Sequence, residues 1–190
     1  MSLPPSACWC LTVVFAGPSG WFLYQSACST AGAAERISLV LHAVMCLVMI
    51  PMVWPWGARV PHGPQAAVLG ASAAWFVASA VRARRMTPAV KDAHHALMSA
   101  VMAWMVVMPM PLPTDGAAPR MDGGHAAMGR MSGPAPAAVT LAAYCLVAAV
   151  VWLAEAGTAT SPESPARRLP AAAGHAAMSL GAGVLTLAMA

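Results

Sequence analysis

The sequence predicts an all-α, polytopic integral membrane bundle of about six transmembrane helices in a single domain, and three observations carry that prediction. Of 190 residues, 59% are apolar and only 8% charged, whereas roughly a quarter are charged in soluble domains. The apolar residues fall into runs of about twenty, the length needed to cross a hydrocarbon layer about 30 Å thick. Charges and Pro/Gly clusters gather between the runs.

Taken in order, the spans are about 7–25, 35–56, 65–82, 89–111, 135–155 and 170–189. Gly17-Pro18 interrupts the first, and because proline removes a helical hydrogen bond, five spans plus a re-entrant segment is the alternative. The second ends at Trp54 and Trp56, which suit an interfacial aromatic belt. The third and fifth, GASAAWFVASAVRA and APAAVTLAAYCLVAA, are rich in small residues that let membrane helices approach closely. That is compatible with a compact bundle or with association between copies of the chain as a homo-oligomer, and both readings stay open. The fourth is followed by the longest connection, 112–134, rich in Gly, Pro and Met; such loops are uncommon unless functional or disordered. Before the sixth span, TATSPESPARR reads as a plain cytoplasmic turn.

Basic residues set the expected orientation. Arg36, Arg82, Arg84, Arg85, Lys91, Arg167 and Arg168 fall on one side, while Arg59, Arg120 and Arg130 fall on the other. The positive-inside rule then puts both termini outside the plasma membrane of a bacterium. Spans two, four and six run parallel, from cytoplasm to exterior. The small basic surplus reports topology and not a nucleic-acid partner. No Lys or Arg precedes Arg36, so the basic start of a cleavable signal is missing and the first hydrophobic segment is expected to be retained. Cys8 and Cys10, the only close pair among five cysteines, match neither a zinc nor a redox CxxC spacing, and no disulfide framework is expected.

The chemistry lies in a repeated motif. His42 is followed by Met45 and Met49, His95 by Met98 and Met102, and His175 by Met178. The outer loop repeats the spacing with His125 and Met128, flanked by Met121 and Met131. Four of six histidines thus have Met three residues on, where 15 methionines in 190 residues would give about half of one by chance. On a helix, positions i, i+3 and i+7 share a face, ~4.5 and ~10.5 Å apart along the axis. His42, His95 and His175 each follow a basic residue by four to seven positions, so all three are expected at one depth. Three parallel helices can therefore bring three imidazoles together with a thioether layer one turn outward, while Ala182 is all that span six offers at the level of Met49 and Met102.

Neutral thioether is a soft ligand that selects Cu(I), and imidazole suits copper, zinc, iron and nickel. Few carboxylates are available, which disfavours calcium, magnesium and zinc. The competing structural account makes methionine a gap filler and the histidines interhelical hydrogen-bonders; ionisable residues inside a span weigh toward function. Other polar residues receive structural readings. His94 points about 100° from His95 and is expected behind it as a supporting or structural group, Asp92 and Lys91 suit the start of a helix, Glu155 is expected to be solvated, Cys46 faces off the stripe, Cys145 is core and His62 is exposed.

The segments HAVMCLVMIPMVWPWG and HHALMSAVMAWMVV, with the late HAAM helix, resemble a family of small membrane proteins of unknown function from high-GC actinobacteria. The resemblance covers most of the chain and implies a polytopic fold, a plasma-membrane location and a bacterial source, but no activity. The expected function is binding of Cu(I), one ion or several, that is acquired from the outer face and stored, relayed or exchanged with a donor or acceptor protein. The metal ligands are expected to be His42, Met45, Met49, His95, Met98, Met102, His175 and Met178, with Met121, His125, Met128 and Met131 as outer-loop capture. No P-loop motif GxxxxGK[ST] is present to drive pumping. The alternative is a b-type haem electron-transfer protein using membrane histidines as axial ligands.

Overall fold

The computed structural model describes residues 4–30, 32–107, 136–157 and 165–189. Six α-helices account for nearly all of them: α1 (Pro5–Cys28), α2 (Ala33–Val53), α3 (His62–Arg82), α4 (Met86–Val107), α5 (Pro136–Gly157) and α6 (Pro165–Met189), with a short 3₁₀ turn at Pro55–Arg59. Four of these, α1, α2, α3 and α5, are long and apolar enough to cross a membrane. The other two are also long enough, at 22 and 25 residues. The protein is an integral membrane helical bundle without β-strands among the described residues.

The helices pack as three hairpins, α1 with α2, α3 with α4 and α5 with α6. The second member of each hairpin faces the middle of the molecule. Residue pairs across the inner helices keep an offset that is constant to within one residue: His42 meets His95 and Met45 meets Ser99, while His95 meets His175 and Met105 meets Thr186. A constant offset requires the helices to be parallel and level. The backbones of α2, α4 and α6 approach one another far less closely than do partners within a hairpin, so long side chains bridge the space between them. That space is where the histidines and methionines go.

Helix α1 is continuous through Pro18, which settles the reading of the first span in favour of a full helix. Phe15, Ser19 and Phe22 recur at helical spacing and are buried against the bundle, and the Ser19 hydroxyl donates to the Ala43 carbonyl at 3.2 Å. This packing outweighs the single hydrogen bond that proline forfeits. Two glycines of α6 make the fit possible. A β-carbon at Gly181 would stand 2.2 Å from the Phe15 ring and one at Gly174 would stand 2.9 Å from the Phe22 ring. Both phenylalanines and both glycines are seven residues apart, so the rings of α1 seat into two flat places on the antiparallel α6.

Several boundaries differ from the sequence expectation. α2 stops at Val53, and the chain turns through Pro55–Arg59 under Trp54, whose indole donates to Thr12 at 2.9 Å. Gly57 lies so close to the Pro51 carbonyl that a side chain there would collide. α6 begins at Pro165, so the end of TATSPESPARR is helical rather than a turn; proline suits the first helical position because its missing N–H would have no partner there. Trp9, Trp54 and Trp56 cluster at one end of the bundle, with ring centroids 5.1 and 6.5 Å apart.

Candidate metal centre

Helical periodicity puts His42 on the buried face of α2 with Ala43, Met45, Cys46 and Met49. It puts His95 on that of α4 with Met98, Ser99, Met102 and Met105. His175 belongs to α6, where Ala172, Ala176, Met178, Ser179 and Ala182 are buried. Each histidine lies nine or ten residues from the start of its helix, about 14 Å along the axis. The three imidazoles meet there. Their ring centroids are 4.3 Å apart for His42 and His95, and 4.8 Å for each of the other two pairs. One nitrogen from each ring can be chosen so that all three lie within 4.8 Å of one another, and no Cys, Asp or Glu joins this group among the described residues.

Hydrogen bonding fixes how one of the rings presents itself, and two rings hold a buried nitrogen with no partner. His42 Nδ1 lies 2.6 Å from the Ser38 carbonyl, which can only accept, so Nδ1 carries the proton. Nε2 then holds a lone pair, and it is buried without a hydrogen-bond partner. His175 Nδ1 is likewise buried and unpartnered, although the ring as a whole is only half-buried. A buried polar atom left without a partner costs about 1–3 kcal/mol, and native proteins rarely tolerate it without compensation. A carbonyl that orients an imidazole from behind is the arrangement metal-ligating histidines use.

Three aromatic rings close the gaps between the inner helices, and the sequence reading did not single them out. Phe22 of α1 contacts His42 and His175, both at 5.2 Å. Phe76 of α3 contacts His42 at 5.0 Å and His95 at 5.4 Å. Trp152 of α5 contacts His95 at 5.4 Å and His175 at 4.5 Å. Each outer helix thus supplies one ring to one seam. A signal for them existed: each aromatic precedes the histidine of its own hairpin by 19 to 23 residues, the separation that returns a chain to the same depth in a hairpin of spans.

The methionines occupy the same core on the side toward the C-terminal ends of the inner helices. Met45, Met49, Met98, Met102 and Met178 are all buried, as is Met105 one turn beyond Met102. Their sulfurs do not all turn inward. Met45 Sδ lies 2.8 Å from the Ser99 hydroxyl, whose single proton is shared with the His95 carbonyl at the same distance. Met98 Sδ turns to Cys145 Sγ of α5 at 3.9 Å, and Met105 Sδ to the Thr186 hydroxyl of α6 at 3.8 Å. Ser99, Cys145 and Thr186 are therefore further groups that touch the sulfur-rich region. Cys46 is fully buried, and no disulfide joins the five cysteines. Met121, His125, Met128 and Met131 lie outside the described residues.

His94 stands behind His95, with Nδ1 2.8 Å from the Tyr144 hydroxyl and Nε2 3.2 Å from the Ser179 hydroxyl. It ties α4 to α5 and α6. Glu155, expected to be solvated, is 43% exposed and also pairs with Lys91, itself 38% exposed, at 2.5 Å. The Lys91 ammonium also lies 4.9 Å above the Trp152 ring. His62 is exposed as the first residue of α3.

Comparison with known proteins agrees with the resemblance. Residues 34–189 match a family model described as a domain of unknown function (DUF5134). Uncharacterised proteins from Mycobacterium tuberculosis strain H37Rv and Mycobacterium bovis are each 33% identical over 197 aligned positions, covering 90% of this chain and 93% of the relative. No solved structure matches. The chain belongs to the DUF5134 family, and these mycobacterial, hence actinobacterial, relatives are of nearly the same length.

Proposed function

We propose that the protein binds Cu(I) within the membrane at His42, His95 and His175, with Met45, Met98, Met178, Met49 and Met102 as an adjoining thioether column, and that it stores or relays the metal in copper homeostasis. The carrying observation is the meeting of three imidazoles from three separate hairpins, two of them with buried, unpartnered ring nitrogens. Three nitrogens at about 2.0 Å from one ion would lie about 3.5 Å apart, so the rings need only tilt inward from their separation of up to 4.8 Å.

Charge decides among metals. The surroundings are aromatic and aliphatic, and every candidate ligand is neutral. The cost of burying an ion rises with the square of its charge, so a divalent ion would be about four times as expensive here as a monovalent one. Zinc with three histidines is otherwise a familiar set, but it would be held without a counter-charge. Cu(I) matches the charge, the imidazoles and the neighbouring sulfur together. Cu(I) takes few ligands, so the methionine column can hold a second ion or pass the first one along.

The haem reading receives less support. Axial imidazoles must leave a slot for the macrocycle between them, whereas these rings lie 4.3–4.8 Å apart and their flanks are filled by Phe22, Phe76 and Trp152. We place the protein in the plasma membrane with both termini outside, on the positive-inside distribution of its Lys and Arg. In that orientation a copper donor or acceptor would meet it on the outer face.

Elemental analysis of protein purified with and without added Cu(I) tests the reading. Copper should be retained by the wild type and lost when His42, His95 and His175 are changed to Ala. Equal metal content in the two proteins would end it. An impermeant thiol reagent tests orientation, since it should reach the exposed Cys28 in inside-out vesicles and not in spheroplasts.

A further inference from the structure

We infer that the histidine site has a single mouth: metal enters and leaves through the methionine side, and a Trp152–Lys91–Glu155 cap closes the opposite side, so that the ion is held midway and not conducted across. This rests on the proposed Cu(I) reading and decides between the storage and transport forms of it.

The two sides of the imidazole layer differ in what they offer a soft cation. Toward the C-terminal ends of the inner helices, the next positions on the same faces are Met45, Met98 and Met178, then Met49 and Met102, then Met105, all buried. Steps of three or four residues amount to about 4.5–6 Å, short enough for one thioether to take the ion as another releases it. No comparable series leads the other way. The residues four positions before the histidines are Ser38, Lys91 and Ala171. The Ser38 hydroxyl is engaged with the Trp75 indole at 3.0 Å and the Ala34 carbonyl at 3.1 Å, and its own carbonyl holds His42. Ala171 has no donor atom. Lys91 brings a positive charge.

That charge is held in place. Trp152 covers His95 and His175 from α5, and Lys91 lies over the same indole at 4.9 Å while its ammonium is paired with Glu155. Attraction of an ammonium to an indole face holds the lysine against the ring. An ion leaving on this side would meet the Trp152 ring and the Lys91–Glu155 pair, neither of which offers a soft ligand. Phe22 and Phe76 close the other two seams. Asp92, three residues before His95, stays outside the group formed by the imidazoles.

The test uses the full chain in spheroplasts and in inside-out vesicles, both loaded with Cu(I) and then challenged with an impermeant Cu(I) chelator. Loss of bound copper should be about tenfold or more faster in whichever preparation exposes the C-terminal ends of α2, α4 and α6. Cys28 labelling identifies that preparation independently. Equal release rates in both would overturn the single mouth while leaving copper binding intact; failure of either preparation to retain copper would overturn the copper reading as well. A variant with Lys91→Met and Glu155→Gln, checked for wild-type copper loading, should release metal on the capped side several-fold faster. An unchanged rate in a loaded variant would overturn the cap, and the wild-type comparison stands by itself.

Discussion

The inner helices α2, α4 and α6 and the outer helices α1, α3 and α5 are built on opposite terms. All three outer helices are apolar enough to cross a membrane, but so is the inner helix α2, the most apolar of these four. The outer helices give the core mainly large rings, namely Phe15, Phe22, Phe76 and Trp152, and turn exposed residues such as Val77, Leu146 and Val150 outward. The inner helices hold the imidazoles and most of the buried sulfur. In a membrane polar side chains belong inside, because lipid offers no partner for a polar group. Mean hydropathy does not separate inner from outer helices here, since the inner α2 has a value of 2.1, above those of α1, α3 and α5, while the buried polar residues report the site.

Sharp tests of this contrast begin with the largest expected effect. Beyond the histidine replacements, which should abolish copper retention, Phe22→Ala or Phe76→Ala should each cost about 3 kcal/mol of stability, read as resistance to denaturant in detergent. That is the low end for a core phenylalanine, since lipid and not water surrounds the bundle. Copper affinity should fall with it, because these rings fix the imidazoles. If stability fell without any change in copper binding, the rings would be filler alone.

Gly181→Val should cost about 1–3 kcal/mol through collision with Phe15, read in the same way. Gly70→Val on the outer helix α3, where a β-carbon meets nothing within 4 Å, serves as the control. Changing Met45, Met98 and Met178 together to Leu separates packing from ligation. Met-to-Leu conserves volume and should cost under about 1.5 kcal/mol per site, while copper affinity should drop by about tenfold or more, since leucine has no sulfur to coordinate it. An undiminished affinity would reduce the methionines to packing. The smallest effect is expected at the lipid face, where Leu146→Ala or Val150→Ala should stay within about 0.5 kcal/mol and leave copper content unchanged.

The local patterns were legible because they live within one helix. His42 and Met45 share a face by helical geometry whatever surrounds them, and charges near each span set its depth. Span ends were less legible. The stop at Val53 depends on Gly57 fitting under Pro51, and the early start of α6 on proline's tolerance at a first turn. Pro18 looked like a break, but the contacts of Phe15 and Phe22 with α6 hold α1 intact.

Sequence alone therefore determined the all-helical membrane fold, the repeated imidazole–thioether face and its common level, since periodicity and hydropathy are written residue by residue along the chain. Tertiary structure alone decided that Phe22, Phe76 and Trp152 close the seams, that Met98 turns to Cys145, and that Lys91 is drawn to Trp152 and Glu155. Most of these contacts join different hairpins or neighbouring helices. They arise from how whole helices settle against one another, and no spacing within a single helix encodes that.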